Sequence, residues 1–325
     1  MIRRIDRDDI PECVRVIRES FGTVADDILE YAKAYRASFE QRGVSSNEVR
    51  MFEYEGRKYV IKSPLMVGDS LSPFWRMMEQ VFHFTFARQN AGFGRVYNVL
   101  KDNPHIPVPV FVAADEGAIV FEYMEGASRE GDEFPAGKEN AYRLGQYVGY
   151  LHQSVHQNCG ILGTEDVTDF FSAAASHMEA CINAHWNSEE RTDRRVRAFW
   201  EALRQRRFDS AGYSLIMADM SADQFLYDKD RIAACVDLDA YVIGPVEWEL
   251  SFLRKQVEDW DSFRAGYETY QNMPQLEEVS DFFFFLMALN SYENKCEIED
   301  FWFGYFAGAS QFDSLPPEEW ENGSP

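Results

Sequence analysis

The sequence predicts an α+β protein of two lobes, a small antiparallel sheet followed by a larger, mostly helical lobe. Short apolar runs separated by turn residues follow residue 43, with one helix among them. Apolar residues at helical spacing dominate the second half of the chain. Short strands interrupt these helices between Ser214 and Val236. We therefore expect an N-terminal strand-helix extension over residues 1–40, a small lobe over 41–126 and a large lobe over 127–325.

The composition limits the class of partner. The 325 residues are 46% hydrophobic, which is enough for a large core. The formal net charge is -23, from 55 acidic and 32 basic residues. Such a surface repels nucleic acid and anionic membranes, so we expect neither as a partner. The excess of acids is compatible with a cationic small-molecule partner and also with a purely solubilising surface.

The cysteines and the N-terminus indicate a cytoplasmic protein. The five cysteines are scattered and odd in number, and no C-x-x-C pair exists, so we expect reduced thiols. The first residues turn acidic at once and lack the apolar segment of a signal peptide. No apolar run approaches the length of a membrane span.

Two carboxylates and an amide lie at the ends of the short strands predicted after Ser214. Asp219 ends one apolar run, Gln224 begins the next, and Asp237 ends a third after a hairpin turn. If the strands are adjacent, the three side chains meet at one edge. Oxygen ligands suit Mg²⁺, and a free carboxylate there can act as a base in phosphoryl transfer. Taken singly, each acid is equally typical of an ordinary strand-end turn.

The same stretch resembles the aminoglycoside phosphotransferase and choline kinase family, whose fold is protein-kinase-like. The family's H-G-D-x-x-x-x-N motif corresponds to residues 217–224, and its I-D-[FW]-x-x-[AG]-x-x-G-[PD] motif to residues 236–245. The resemblance implies that Asp219 is the catalytic base and that Asp237 and Gln224 bind magnesium. It further implies ATP as the donor and a small-molecule hydroxyl as the acceptor, with Asp239 contacting metal or an amine of the substrate.

Two residues depart from the family pattern. Met217 stands at the histidine position, which removes a hydrogen-bonding support of the catalytic loop. Gln224 stands at the asparagine position and is one methylene longer. A nucleotide-binding protein without turnover is therefore an open alternative to an active kinase.

The small lobe supplies candidate phosphate-binding residues. Lys62 ends a strand of a predicted hairpin, as does the lysine that grips the α- and β-phosphates in the kinase fold. Glu79, on the following helix, is predicted either to pair with Lys62 or to be a surface residue. The loop residues Ser45, Ser46 and Asn47 are candidate phosphate donors in place of a glycine-rich loop.

Three further segments resemble parts of the same kinase fold. Residues 122–126 resemble the hinge between kinase lobes, so the backbones of Glu122 and Met124 are expected to receive adenine. Residues 144–152 and 261–267 resemble the L-G-x-x-L-A-x-L-H and F-x-x-G-Y helices of the family's large lobe. His152, on the first of these, is expected to be a packing or network residue.

An acetyltransferase is the less favoured alternative. The first 24 residues resemble the opening strand and helix of GNAT acetyltransferases, and Gln89–Gly94 matches a Q/R-x-x-G-x-G loop that binds the pyrophosphate of acetyl-coenzyme A. Such a loop needs a long strand directly before it, whereas Val81–Phe86 continues a helical pattern better.

Overall fold

The computed structural model of the protein describes residues 24–37, 47–66, 68–129 and 133–291. The GNAT-like opening and the predicted phosphate donors Ser45 and Ser46 lie outside these ranges. Within them, the small lobe is a four-stranded antiparallel sheet followed by a mostly helical lobe, as predicted. None of the helices in these ranges is both long enough and apolar enough to cross a membrane.

The small-lobe sheet has the strand order β1-β2-β4-β3. Its strands are β1 (Asn47–Tyr54), β2 (Arg57–Pro64), β3 (Phe111–Asp115) and β4 (Ala118–Glu122). Helix α1 (Val24–Ala37) packs on one face, where its apolar residues contact those of the strands. A helix over residues 86–100 covers part of the opposite face, and the part that carries Lys62 meets the large lobe.

The predicted β1–β2 hairpin is confirmed. Its two turn residues, Glu55 and Gly56, have φ angles of 50° and 78°. Positive φ at both positions is the geometry of the tight hairpin turn that matches strand twist. The resulting register pairs Val49 with Lys62.

One predicted helix is two helices in the structure. Helix α2 (Pro73–Phe82) ends at His83, whose φ of 50° stops it, and α3 (Phe86–Leu100) begins after the capping residue Thr85. The break redirects the chain, so α3 packs on the small-lobe strands while α2 does not. The acetyl-coenzyme A loop predicted at Gln89–Gly94 is wrong, because these residues lie inside α3, where backbone N–H groups bond along the helix.

Helix α2 belongs to the core of the large lobe. Its buried face packs against α5 (Phe170–His185) and α9 (Ser280–Ser291). The Phe82 ring lies 5.3 Å from that of Phe170 and 6.0 Å from that of Trp248, measured between centroids. The segment after β2 therefore ties the small lobe to the large one through buried aromatic contacts.

The large lobe consists of six helices and five short strands within the described residues. The helices besides α5 and α9 are α4 (Lys138–Leu151), α6 (Arg191–Leu203), α7 (Val246–Gln256) and α8 (Trp260–Tyr267). The strands are β5 (Ala127–Ser128), β6 (Tyr213–Met217), β7 (Phe225–Asp228), β8 (Arg231–Cys235) and β9 (Tyr241–Pro245). They form two sheets, β5-β7-β8 and β6-β9.

Helices α4 and α8 carry the two helix patterns noted in the sequence, and they pack face to face. Glycines make this approach possible. A Cβ on Gly145 would collide with the carbonyl oxygen of Phe263, and one on Gly266 would collide with that of Tyr142. The close pairing orients α4 beneath the strands that carry the candidate site.

Candidate active site

The strands around the site are paired differently from the sequence prediction. The β7–β8 hairpin is confirmed, with Asp228 opposite Arg231. The first strand, β6, does not join it but pairs with β9, a strand that the sequence did not indicate. Gln224 and Asp237 therefore lie at the same end of the β7–β8 hairpin, as predicted, whereas Asp219 follows a strand of another sheet.

Backbone hydrogen bonds bring the three segments together instead. The carbonyl of Gln224 accepts from the N–H groups of Val236 and Asp237, at 2.9 and 3.3 Å. The N–H of Ala218 donates to the carbonyl of Ala240 at 3.0 Å. The loop that holds Asp219 and the loop that holds Asp237 are thus fastened to each other at two points.

Lys62 enters this site from β2 and meets two carboxylates. Its Nζ lies 2.7 Å from Oδ2 of Asp239 and forms a closer ion pair with Asp237. The two acids differ in exposure, since the side chain of Asp237 is 42% exposed and that of Asp239 is 8% exposed. Asp237 thus faces the cleft, whereas Asp239 lies beneath it.

The charges shift one another's pKa values. Burial raises the pKa of Asp219 well above its usual range, and the negative charges of Asp237 and Asp239 raise it further. Burial acts in the same direction on Asp239 and raises its pKa to about 6 despite the ion pair with Lys62. Burial also opposes ionisation of Asp237, but the Lys62 ammonium outweighs it and lowers that pKa. Lys62 itself is desolvated, yet its two carboxylate partners raise its pKa.

The predicted Lys62–Glu79 pair does not form. Glu79 is exposed on α2, the helix that packs on the large lobe, whereas the helix lying on the small-lobe sheet is α3. At the cleft, α3 presents Gln89, whose Nε2 donates to the carbonyl oxygens of Asp239 and Tyr241 at 3.3 and 2.9 Å. Sequence reasoning assigned Gln89 only to an acetyl-coenzyme A loop and not to this cleft, because the helix break that selects α3 depends on tertiary packing.

Asn47 is the one predicted loop donor that the structure describes. It begins β1 and is buried, with 7% of its surface exposed. Its Nδ2 donates to Oδ2 of Asp239 at 2.6 Å. Asn47 therefore reaches the site from the small lobe, through Asp239.

A buried carboxylate supports the loop that leads to Asp219, where the sequence has Met217 in place of histidine. Oε1 of Glu249 accepts from the backbone N–H of Met217 at 2.9 Å, and its Oε2 lies 2.8 Å from Nε2 of His152. The indole of Trp248 donates to the carbonyl of Ala218 at 2.8 Å. His152 is a network residue, as predicted, and its other ring nitrogen lies 3.0 Å from the Tyr267 hydroxyl.

Part of the backbone of the predicted hinge segment is already hydrogen-bonded within the small lobe. The N–H of Glu122 donates to the carbonyl of Val110, and that of Tyr123 donates to the carbonyl of Lys58, each at 2.9 Å. The backbone groups of Met124 bond to none of the described residues. At the end of the hinge, a Cβ on Gly126 would lie 2.7 Å from Cβ of Leu226, so the hinge presses directly on β7.

The cleft-facing side of the sheet carries an apolar surface beside Lys62. In the antiparallel register Val49 lies opposite Lys62, so the two side chains share a face. Val49 is 57% exposed, which is unusual for a valine in a sheet otherwise packed on helices.

The donors present fit a magnesium ion held jointly with phosphates. Within the described residues no three His, Cys, Asp or Glu side chains are grouped as a self-sufficient metal site. Mg²⁺ bound with a nucleotide needs only one or two protein carboxylates, because phosphates and water complete its coordination. The exposed carboxylate of Asp237 next to Gln224 meets that requirement.

Comparison with known proteins identifies the family. Residues 41–282 match the model of the phosphotransferase enzyme family, known as APH, and the chain belongs to this family of kinase-like enzymes. This confirms the resemblance drawn from residues 217–245.

Solved structures of the same fold include several phosphotransferases. A macrolide 2'-phosphotransferase from Brachybacterium faecium is 14% identical, with a TM-score of 0.51 over 92% of this chain and 99% of that chain. A type I macrolide 2'-phosphotransferase is 13% identical, with a TM-score of 0.51 over 89% and 98%. The choline kinase of Streptococcus pneumoniae is 13% identical, with a TM-score of 0.47 over 88% and 92%. Among curated proteins, none has a sequence that matches this chain significantly.

Proposed function

We propose that this protein is an ATP- and Mg²⁺-dependent kinase that phosphorylates a hydroxyl group of a small molecule. One observation carries the proposal: Lys62, Asp237 and Asp219 converge at one cleft although they come from three separate segments. A lysine for the triphosphate, an exposed carboxylate for the metal and a second carboxylate for the acceptor are the parts that phosphoryl transfer requires.

Each residue then has a defined task. Asp219 accepts or orients the proton of the acceptor hydroxyl. Asp237 and Gln224 would hold Mg²⁺, which when bound neutralises charge on the phosphates. Lys62 binds the α- and β-phosphates with the N–H bonds of its ammonium group. The Met124 backbone receives the adenine edge, and Val49 covers its ring.

Positioning and charge neutralisation supply most of the rate in this chemistry. Burial and the negative charges of Asp237 and Asp239 raise the pKa of Asp219 in the protein alone. A cation bound near Asp237 would offset part of that negative charge and so lower the pKa of Asp219.

The acceptor class is proposed from charge. The net charge of -23 favours a cationic acceptor such as an aminoglycoside or an amino alcohol. Release of ADP in the presence of a panel of aminoglycosides, amino alcohols and macrolides would identify it. The predicted cytoplasmic location and the three domain boundaries remain predictions.

The decisive experiment compares Asp237→Ala with Asp230→Ala, an exposed residue in the β7–β8 turn. We expect Asp237→Ala to abolish ADP release and Asp230→Ala to leave it unchanged. Unchanged turnover in Asp237→Ala would refute the proposal. A thermal shift with acetyl-coenzyme A and none with Mg-ATP would instead favour an acetyltransferase.

A nucleotide-binding protein without turnover remains the alternative, because Met217 and Gln224 depart from the family motif. Binding of Mg-ATP with no ADP release on any acceptor would favour it. The bonds from Glu249 and Trp248 to the catalytic loop favour an active enzyme, since they hold the loop without the missing histidine.

A further inference from the structure

Asp239 lies where one large-lobe loop meets three elements of the small lobe. Its carboxylate binds Asn47 on β1 and Lys62 on β2, at 2.6 and 2.7 Å. Its backbone carbonyl accepts from Gln89 on α3 at 3.3 Å. Only 6% of the residue is exposed. Asp239 thereby joins the loop that carries Asp237 to three elements of the small lobe.

The two carboxylates that pair with Lys62 differ in what they can bind. Asp237 is open to the cleft, so it can turn toward a metal or a phosphate. Asp239 is enclosed, and its Oδ2 is shared by two small-lobe donors. A lysine ammonium has three N–H donors, so binding both acids leaves one directed elsewhere. Lys62 can therefore reach a phosphate while Asp239 continues to hold it.

The neighbouring helix explains why this anchor is needed. The predicted carboxylate partner of Lys62 on the helix, Glu79, is exposed on α2, and the helix at the cleft carries the neutral Gln89. Gln89 cannot neutralise the ammonium, and its Nε2 binds backbone carbonyls instead. A buried ammonium without a permanent anionic partner is costly. Asp239 provides that partner.

We propose that Asp239 is a positioning residue that bridges the lobes, holding Lys62 and Asn47 over the loop of Asp237 and so setting the shape of the triphosphate pocket. This inference rests on the proposed function. It differs from the expectation that Asp239 contacts the substrate, because its carboxylate lies beneath the cleft and is used by small-lobe side chains.

A reciprocal exchange tests the bridge. Asn47→Asp places a second acid against Asp239, and Asp239→Asn leaves two amides and removes one partner of Lys62. The double variant Asn47→Asp/Asp239→Asn restores one amide and one carboxylate in reversed order. We expect each single variant to weaken Mg-ATP binding roughly tenfold or more, and the double variant to return to within about threefold of the wild type.

Two readouts keep the outcomes separate. The first is the free energy of unfolding of the ligand-free variants. If Asp239 bridges the lobes, the losses of the two single variants do not add, and the double variant recovers part of the unfolding free energy. The second is the Kd for Mg-ATP by calorimetry. Asp115→Asn is the matched control. Asp115 lies on β3, outside the cleft, and like Asp239 it pairs with a lysine, in this case Lys33 on α1. This variant should leave the Mg-ATP affinity unchanged.

Additive losses in unfolding, with no recovery in the double variant, would overturn the bridge. Recovery in unfolding without recovery in Mg-ATP binding would overturn its role in the triphosphate pocket. If the wild type itself does not bind Mg-ATP, the proposed function fails, while the unfolding measurements still decide whether the two lobes are joined through Asp239.

Discussion

At the scale of single residues, three aspartates in the cleft differ in their exposure and in their neighbours. Asp219, Asp237 and Asp239 are the same side chain, yet burial and neighbouring acids raise the pKa of the first, and a lysine lowers that of the second. The third is enclosed between two small-lobe donors. These surroundings suggest a base, a metal ligand and a structural bridge respectively.

The role of Asp219 predicts a loss of rate without a loss of nucleotide affinity. Asp219→Asn keeps the size and one acceptor oxygen but cannot take a proton, so we expect kcat to fall by about 10²–10⁴-fold. The Kd for Mg-ATP should stay within about twofold of the wild type, since other groups bind the triphosphate. Asp223→Asn, an exposed change in the same loop, is the control and should retain full turnover.

The role of Glu249 predicts that the proposed catalytic loop depends on a residue 32 positions away along the chain. Glu249→Ala leaves the Met217 N–H and His152 without their buried partner, so we expect a loss of roughly 3–5 kcal/mol in the free energy of unfolding. Glu249→Gln keeps the acceptor for Met217 and should lose much less. Urea unfolding measures both variants. Equal losses in the two would contradict a specific role for the hydrogen bond to the loop.

At the scale of elements, the large lobe is held together by close contacts that leave no room for additional atoms. Helices α4 and α8 touch through glycines at backbone distance. Helices α5 and α9 enclose a buried pair, in which Nε2 of His177 donates to Oδ1 of Asn290 at 2.7 Å. Each feature makes the packing sensitive to a single atom or a single proton.

The close contact between α4 and α8 predicts that alanine destabilises the protein at Gly145, whereas it should stabilise the protein at Gly94. Gly145→Ala would force a methyl group into the Phe263 carbonyl, so we expect a loss of about 1–3 kcal/mol or more. Gly94→Ala, inside α3, meets only the Phe111 ring at 3.8 Å and should gain about 0.5–1 kcal/mol through helix propensity. Denaturant midpoints measure both, and a loss at Gly94 like that at Gly145 would contradict the explanation.

The buried histidine predicts a pH dependence of stability. Burial lowers the pKa of His177 below its usual value, and the bond to Asn290 only partly offsets this. The unfolded chain then binds a proton more readily than the folded one as pH falls below about 6.5. Stability is thus full at neutral pH and is lost as pH drops toward the folded pKa.

Replacement tests this assignment. His177→Gln should weaken the acid sensitivity of the unfolding midpoint between about pH 7 and pH 5, because no proton can be taken up there on unfolding. His185→Gln, an exposed change at the end of the same helix, is the control. An unchanged pH profile in His177→Gln would show that other groups cause the acid sensitivity.

At the scale of the whole molecule, the large negative charge bears on the choice of acceptor. A chain of net charge -23 attracts cations. Salt screens this attraction, with a Debye length of about 10 Å at 0.1 M. A cationic acceptor should therefore show kcat/KM values that fall as salt rises from about 20 to about 300 mM, whereas a neutral acceptor should show little change. A salt-independent rate with the best cationic acceptor would argue against electrostatic selection.

From the sequence alone, the resemblance of residues 217–245 to known motifs indicated the family, and turn residues and apolar periodicity predicted a strand-rich lobe followed by a helical one. Asp219, Asp237 and Lys62 were predicted as site residues because they stand at positions that match motifs of the kinase fold. Turn residues and short motifs are local features of the chain. The β1–β2 hairpin followed from Glu55-Gly56 for the same reason, since a tight turn is decided by its own backbone conformations.

Which residues meet at the site became evident from the three-dimensional packing of the chain. The break at His83 sent Glu79 to the large lobe and brought Gln89 to the cleft. The pairing of β6 with β9 placed Asp219 and Asp237 together although their strands do not adjoin. Glu249 and Asn47 reached the site across 32 and 192 residues of chain. Such contacts depend on how buried faces pack against one another, a long-range property that spacing along the chain does not encode.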